Sequence, residues 1–227
     1  MKILAVDTTT PMLTAAVWED GVVLGEYSLN NKKAHSQKLM PLVEQLLRET
    51  GISLEEIDLF AAANGPGSFT GIRIGLACLK ALAQVTRKPI AAVNTLEGLA
   101  YNAVGEERPV FVLLDGGRRR VYAAEYRDEN GKMICITEPF AATVEEVAQS
   151  LQGRQVLLAG DGGTIYAAEL GFPCLTGRRS MPMASSVAMA ASISPTVTAE
   201  ELTAIYISKP QAQREYEERL QKRSSDV

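Results

Sequence analysis

A glycine-rich stretch in the first third of the chain constrains the fold more than any other feature. Residues 64–71 have the sequence NGPGSFTG and follow an apolar run, residues 61–63. Glycine adopts positive φ angles without strain and proline fixes its own φ, so this stretch predicts a tight, exposed turn. Apolar residues then recur at helical spacing over residues 72–85. The sequence therefore predicts a buried strand, a glycine-rich loop and a helix in succession.

Two interpretations of this loop stay open from the residues alone. Unpaired backbone N–H groups at a helix N-terminus can hold an anion. Alternatively, the glycines only allow the turn and a close helix contact, because neither the Lys-Ser/Thr of a P-loop nor the GxGxxG spacing is present. Gly71 and Gly75 also leave a notch of small residues, where the backbone of another helix can approach closely.

Composition excludes several classes of protein. The 227 residues carry a net charge of -4, which argues against a surface that binds nucleic acid by broad electrostatics alone. No apolar stretch approaches the roughly 20 residues of a membrane span, and the N-terminus lacks the layout of a signal peptide. We therefore expect a cytoplasmic protein that does not contact a membrane.

The metal-ligating residue types are few and scattered. Cys78, Cys135 and Cys174 stand far apart, and His35 is the one histidine in the sequence. A structural zinc site needs four closely arranged nitrogen or sulfur ligands, so this inventory argues against one. We interpret His35 as a residue at a helix N-terminus, since a helix is predicted from Ser36 onward.

The chain repeats one pattern of elements twice. An apolar run ends in Asp7, another ends in Asp115, and a second strand begins six residues after each aspartate. In both halves an Asp-Gly or Asn-Gly turn leads into a third strand. A helix, a further strand and a glycine turn follow, at residues 64–67 in the first half and 160–163 in the second. This is an internal duplication with the predicted order β-β-β-α-β-α, which implies mixed sheets covered by helices.

The duplication divides the chain into two predicted domains. The first spans residues 1–103 and the second spans residues 104–227. We expect the second half to be shortened, because after Gly163 only one helix, over residues 185–192, and a polar tail are predicted. The charged tail, residues 213–227, is predicted to be a solvated helix that frays.

Two halves of this kind resemble the actin, sugar kinase and Hsp70 ATPase superfamily. The resemblance implies a duplicated α/β fold in which Asp7 and Asp115 flank ATP and its metal in a cleft. Thr8 departs from the superfamily pattern, because a glycine is expected where the backbone meets a phosphate. We therefore expect no cofactor bound by this chain alone.

Residues 64–100 narrow the resemblance to one family. The segments GPGSFTGIRIG, KALA and AAVNTLEGLA resemble the TsaB (YeaZ) family and its catalytic relative TsaD, which is called Kae1 in archaea and eukaryotes. The resemblance covers about residues 1–163 and implies a role in placing threonylcarbamoyl on an adenosine of tRNA. TsaD-like proteins carry a metal-binding HxxxH pair on a helix, and Thr95 and Leu99 hold those positions here. The resemblance thus implies a non-catalytic member without its own metal site.

The resemblance also implies that the function lies in an interface. In the TsaB family two early helices pack against a TsaD-like catalytic subunit, and the protein alone pairs with itself through the same surface. The full complex adds a TsaE-like ATPase and acts on tRNA. The residues expected at the partner interface are Leu39, Met40, Val43, Leu47, Gly71, Ile72, Gly75 and Leu79. The alternative is that the same residues face this chain's own core.

A run of three arginines is a second candidate site. Arg118, Arg119 and Arg120 follow Asp115 and two glycines, and they are candidates for contact with a phosphate of tRNA or of a nucleotide held by a partner. The alternative is the solvated edge of a hairpin.

Two other functional classes remain to be weighed against the assembly subunit. One is a nucleotide-dependent transferase or phosphotransferase that uses Asp7 and Asp115. The other is a metallopeptidase, which the sequence disfavours because it lacks the ligands of a zinc peptidase.

Overall fold

The apolar run that opens the chain becomes the central strand of a six-stranded sheet. The structure is a computed structural model that describes residues 1–30 and 35–208. The elements of the first half are β1 (Lys2–Asp7), β2 (Met12–Glu19), β3 (Val22–Asn30), α1 (His35–Thr50), β4 (Leu59–Ala63), α2 (Phe69–Thr86), β5 (Ile90–Val93) and α3 (Thr95–Ala100). The predicted hairpins, helices and strands of this half are confirmed, and α2 begins three residues earlier than its apolar periodicity indicated.

The second half repeats the order of the first six elements, β-β-β-α-β-α, and then departs from it. Its elements are β6 (Val110–Asp115), β7 (Arg120–Glu129), β8 (Lys132–Thr143), α4 (Val144–Ser150), β9 (Leu157–Ala159), α5 (Gly160–Leu170), α6 (Ala184–Ala191) and β10 (Thr196–Val197). The strand order is β10-β5-β4-β1-β2-β3 in the first sheet and β8-β7-β6-β9 in the second. In both sheets the first three strands are antiparallel and the next strand joins in parallel, which confirms the duplication and the mixed sheets.

Because side chains alternate between the two faces of each strand, both sheets are covered on both faces, and the helices and sheets stack in five layers. Leu4 and Val6 of β1 face α1 and α2, whereas Ile3 and Ala5 face a central layer formed by α3 and α6. The second sheet closes the other side of this layer and carries α4 and α5 on its outer face. The main core therefore lies between the two sheets, and the helix pair α1–α2 covers the opposite face of the first sheet.

The second glycine turn differs from its prediction. Residues 160–163 form the first turn of α5 rather than a loop, because Gly160 and Gly162 lie directly against Leu113 of β6. Glycine is a poor helix former, so local propensity favoured a turn, but only glycine allows this close contact. The helix α5 was therefore missed in the sequence.

The chain after α5 returns to the first sheet. The helix α6 packs against β1 and β2, and β10 extends the sheet beside β5. The boundary between residues 103 and 104 accordingly stays a prediction. The tail prediction, residues 213–227, lies outside the described residues. No helix within the described ranges is both long and apolar enough to span a bilayer.

Candidate functional site: a cleft and a helix pair

A cleft of about 340 Å³ opens between the two halves, where β1 and β6 end. One wall is the glycine-rich loop, and the opposite wall contains the carboxylates of Asp115 and Asp161. The turn after β1 supplies Thr9 and Thr10 to the same cleft. The duplicated strands thus bring both glycine-bearing segments and the second aspartate to one place, as the duplication predicts.

The glycine-rich loop is docked onto the turn after β1. The Thr8 hydroxyl donates to the Gly71 carbonyl at 2.7 Å, and the Ser68 N–H donates to the Thr9 carbonyl at 2.6 Å. A β-carbon at Gly71 would collide with the Thr8 backbone, and one at Gly75 would lie 2.5 Å from the Thr8 Oγ1. The close approach that the two glycines allow is therefore an approach of this chain's own turn.

The first aspartate, Asp7, is buried and forms hydrogen bonds within the turn that follows β1. Asp7 is 2% exposed, and its Oδ1 accepts hydrogen bonds from the Thr9 N–H and hydroxyl, both at 2.7 Å. Burial raises the pKa of Asp7, although the Thr9 hydrogen bonds and the charge of His35 oppose this shift. His35 itself donates from its ring to the Thr10 carbonyl at 2.8 Å, consistent with its predicted place at the start of α1.

The second aspartate faces a different environment. The Asp115 Oδ1 accepts from the Gly117 N–H at 3.1 Å, and its own N–H donates to Asp161 at 2.9 Å. Asp161 begins α5, and burial raises the pKa of its carboxyl group. The pair is thus hydrogen-bonded to backbone at the first turn of a helix.

These contacts do not fit a metal nucleotide held as the superfamily resemblance implies. Thr8 stands where the superfamily pattern has a glycine, and its side chain is buried against Gly71, outside the residues that line the cleft. Thr9 already occupies the Ser68 N–H and the Asp7 Oδ1. The anion-binding interpretation of the loop is therefore disfavoured, and the packing interpretation accounts for Gly71 and Gly75.

The two positions that the resemblance aligns with a metal-binding histidine pair are buried and hold no imidazole here. Thr95 and Leu99 lie on α3 with 0% and 1% exposure, inside the core between the sheets. Among residues 1–30 and 35–208, no three histidine, cysteine or acidic side chains cluster in a way that could hold a metal ion.

Most of the predicted interface residues lie inside the chain. Leu39 and Val43 of α1, and Ile72 and Leu79 of α2, are buried against the first sheet. Leu47 is half-buried, whereas Met40 is 39% exposed. The buried residues therefore face the chain's own core, which is the alternative that the sequence left open. Contact of the helix pair with a partner stays a prediction.

The outward face of the helix pair was only partly visible in the sequence. It carries exposed small and apolar side chains, with half-buried ones at its edge that also contact the core beneath, and we call it the outer helix face: Met40, Ala77, Ala81 and Val85, with Leu47, Ile74 and Cys78 at the edge. Val85 is 81% exposed, which is unusual for a large apolar side chain. On α2, marking the residue two positions after each apolar position of the buried stripe, about half a turn away, would have found this face.

The arginine run is partly engaged within the chain. Arg119 donates to Glu145 of α4 at 2.7 Å and to Glu169 of α5, so its guanidinium ties the hairpin to two helices. Arg118 and Arg119 have positive φ angles of 54° and 58°. Arg120 is exposed at the start of β7. Phosphate contact stays a prediction for this run.

A carboxylate that the sequence did not single out joins the two halves. Glu26 of β3 is buried and accepts from the backbone N–H and hydroxyl of Ser185, at 3.2 and 3.0 Å. Arg178 forms an ion pair with the same carboxylate. Glu26 therefore binds the start of α6 to the first sheet.

The fold and cleft define the class of protein: a duplicated α/β protein with two mixed sheets, of which the second is smaller, and a cleft where β1 and β6 end. A family model for TsaD, described as tRNA N6-adenosine threonylcarbamoyltransferase, matches residues 22–214. The chain is 40% identical over 134 residues to the tRNA threonylcarbamoyladenosine biosynthesis protein TsaB of Escherichia coli (strain K12), and 37% identical over 131 residues to that of Bacillus subtilis (strain 168). Each match covers 58% of this chain, and the matched regions span 58% and 57% of the two relatives.

The fold of this chain matches that of a solved structure over most of its length. YeaZ from Pseudomonas aeruginosa superposes with a TM-score of 0.79 at 28% identity, covering 90% of this chain and 99% of that one. The chain therefore belongs to the family that the TsaD model describes, as a TsaB (YeaZ) member.

Proposed function

We propose that this chain is a non-catalytic assembly subunit that binds and activates a TsaD-like transferase. One observation carries the proposal: the positions of the family's metal-binding histidine pair hold Thr95 and Leu99, both buried in the core. Neither a threonine nor a leucine buried at these positions can replace an imidazole as a metal ligand. The chain then contributes to the reaction through a surface rather than through a reacting group.

The outer helix face supports this proposal as the partner surface. Ala77 and Ala81 are small and exposed on α2, so a partner helix can approach its backbone closely. Met40 and Val85 add exposed apolar area around them. Met40 is an adaptable side chain of the kind common on binding surfaces. The buried residues beneath, such as Leu79, hold this face rigid against the first sheet.

The remaining partners follow from the same proposal. The chain alone pairs with a second copy through the outer helix face, and a TsaD-like subunit replaces that copy in the active assembly. A TsaE-like ATPase joins the complex, which acts on tRNA in the cytoplasm. Any contact of Arg118, Arg119 or Arg120 with phosphate occurs within that complex.

Size-exclusion chromatography with light scattering tests the surface. The wild-type chain is measured alone and mixed with a TsaD-like protein, beside the variants Ala77→Glu and Ile165→Glu. Ala77 lies on the outer helix face, whereas Ile165 is 56% exposed on α5 of the second half and serves as the matched control. These positions are preferable to Gly75, where a larger side chain would disturb the contact with Thr8.

The proposal predicts a self-dimer that converts to a heterodimer in the wild type and in Ile165→Glu. In Ala77→Glu the added charges prevent both associations. A heterodimer that forms equally well in Ala77→Glu would contradict the proposed surface, and a wild-type chain that ignores the TsaD-like protein would contradict the function itself.

A further inference from the structure

The segment after β10 crosses the glycine-rich loop without forming a helix or a strand. The Ile205 N–H donates to the Asn64 carbonyl at 2.8 Å, and the Asn64 side-chain amide donates to the Thr203 carbonyl at 3.2 Å. A β-carbon at Gly65 would collide with the Ile205 carbonyl, so the segment lies directly on the loop. A residue with a side chain at that position would push the segment away.

An aromatic and cationic cluster holds the end of the same segment to α2. The ring of Tyr206 lies 4.9 Å from that of Phe69, the first residue of the helix. The Arg73 guanidinium stacks over the Phe69 ring at 3.8 Å and donates from Nε to the Tyr206 hydroxyl at 3.0 Å. One arginine thus holds both aromatic rings in place.

The segment also forms part of the cleft. Residues 205–208 line it together with Pro66, Gly67 and Asp115. Ile205 and Tyr206 nevertheless remain 39% and 41% exposed, so little apolar burial fixes them. Ala199 and Leu202 anchor the chain before this point in the core. Residues 203–206 are held by the partly buried Ala204, a few hydrogen bonds and one stacked cluster, which is the kind of attachment that can open without unfolding the sheets.

We propose that residues 203–206 are a releasable strap, which covers the glycine-loop wall of the cleft in the free chain and is held there by Arg73. Withdrawal of the Arg73 guanidinium separates Tyr206 from Phe69 and frees the strap, which uncovers the loop at Gly65 and Pro66. Because Arg73 is exposed on α2, a protein that binds this helix is one agent able to withdraw it.

Hydrogen exchange followed by NMR on the full, unpartnered chain tests the strap. The Ile205 amide reports its attachment, because the bond to Asn64 protects it. The variants are Arg73→Ala and Tyr206→Phe, and Arg48→Ala replaces an exposed arginine of the neighbouring helix α1 as a control. Amides of β1 are followed in the same spectra as a measure of global opening.

The expected result is at least tenfold faster exchange of the Ile205 amide in Arg73→Ala, with the β1 amides unchanged. Tyr206→Phe keeps the ring stack but loses the hydroxyl, so its increase is smaller, and Arg48→Ala behaves as the wild type. Unchanged exchange at Ile205 in Arg73→Ala would overturn the proposal. An equal acceleration in β1 would overturn it as well, because Arg73 would then stabilise the whole fold rather than a strap.

Discussion

Replacing Gly75 by alanine should destabilise the isolated chain, although Gly75 lies on a helix next to the proposed partner surface. The new β-carbon would lie 2.5 Å from the Thr8 Oγ1, and this hydroxyl is held in place by its bond to the Gly71 carbonyl. Because both groups belong to this chain, the strain arises in the absence of any partner.

The magnitude follows from two opposing effects. Inserting a methylene-sized group into a filled site costs about 1–3 kcal/mol. Alanine in a helix interior recovers up to about 1 kcal/mol relative to glycine. We therefore expect Gly75→Ala to lower the free energy of unfolding by up to about 2 kcal/mol, which corresponds to a decrease in Tm of up to roughly 8 °C for a chain of this size.

Urea unfolding of a double-mutant cycle isolates the contact. The cycle combines Gly75→Ala with Thr8→Ala, which removes the hydroxyl that the new methyl group meets. In the Thr8→Ala background, Gly75→Ala should be neutral or slightly stabilising. An equal loss in both backgrounds would refute the assignment to Thr8. A chain of unchanged stability that only fails to bind a TsaD-like protein would show instead that Gly75 faces the partner.

Two substitutions and one ligand titration test the roles assigned to Glu26, Asp7 and the turn after β1. Glu26→Ala should cost about 3 kcal/mol in urea unfolding, because it leaves the N–H and hydroxyl of Ser185 without their charged acceptor. Asp7→Asn should stabilise the chain at pH 7, and the gain should shrink toward pH 4 in the same assay. Burial raises the folded-state pKa of Asp7 above its unfolded value. The stability of the wild type therefore falls as the pH rises from the unfolded pKa through the folded pKa. The asparagine amide does not titrate, so the variant does not lose this stability. Titration calorimetry of magnesium ATP into the isolated chain should give no saturable heat, because Thr9 already occupies the Ser68 N–H and the Asp7 Oδ1 that the nucleotide and its metal would need.

Each of these has an outcome that would contradict it. A Glu26→Ala chain as stable as Glu44→Ala, in which an exposed glutamate of α1 is replaced, would show that the link between α6 and the first sheet contributes nothing. A gain in Asp7→Asn that is the same at pH 4 and pH 7 would exclude titration of Asp7 as its cause. Stoichiometric ATP binding would restore the nucleotide-dependent alternative.

Short-range sequence patterns predicted most of the helices and strands. Apolar runs ended by Asp7 and Asp115, and the turns at Gly21 and Gly131, predicted two equivalent hairpins because turn chemistry and strand alternation act over a few residues. The missed helix α5 shows the limit of this reasoning. A contact with Leu113 of a distant strand overrides the poor helix propensity of its glycines.

The site was harder to predict, because burial depends on what covers each face. Helical periodicity identified one apolar face on α1 and α2, and the first sheet buries it, as the positions of Val43 and Leu79 show. The outer helix face consists of small or partly buried apolar residues such as Ala77. They also recur at helical spacing on α2, so the sequence alone does not show which of the two faces the sheet covers. Glu26 and Tyr206 owe their roles to partners more than 100 residues away in the sequence, Ser185 and Arg73, and no local pattern indicates such pairs.

The central claim is that this chain acts through a surface and not through reacting groups. The most direct measurement is the rate of threonylcarbamoyl transfer to tRNA by a reconstituted TsaD-like complex that contains a variant of this chain. The account predicts that Asp7→Asn and Asp115→Asn support the wild-type rate, whereas Ala77→Glu does not. Loss of transfer in the aspartate variants while the complex still assembles, together with normal transfer in Ala77→Glu, would contradict it.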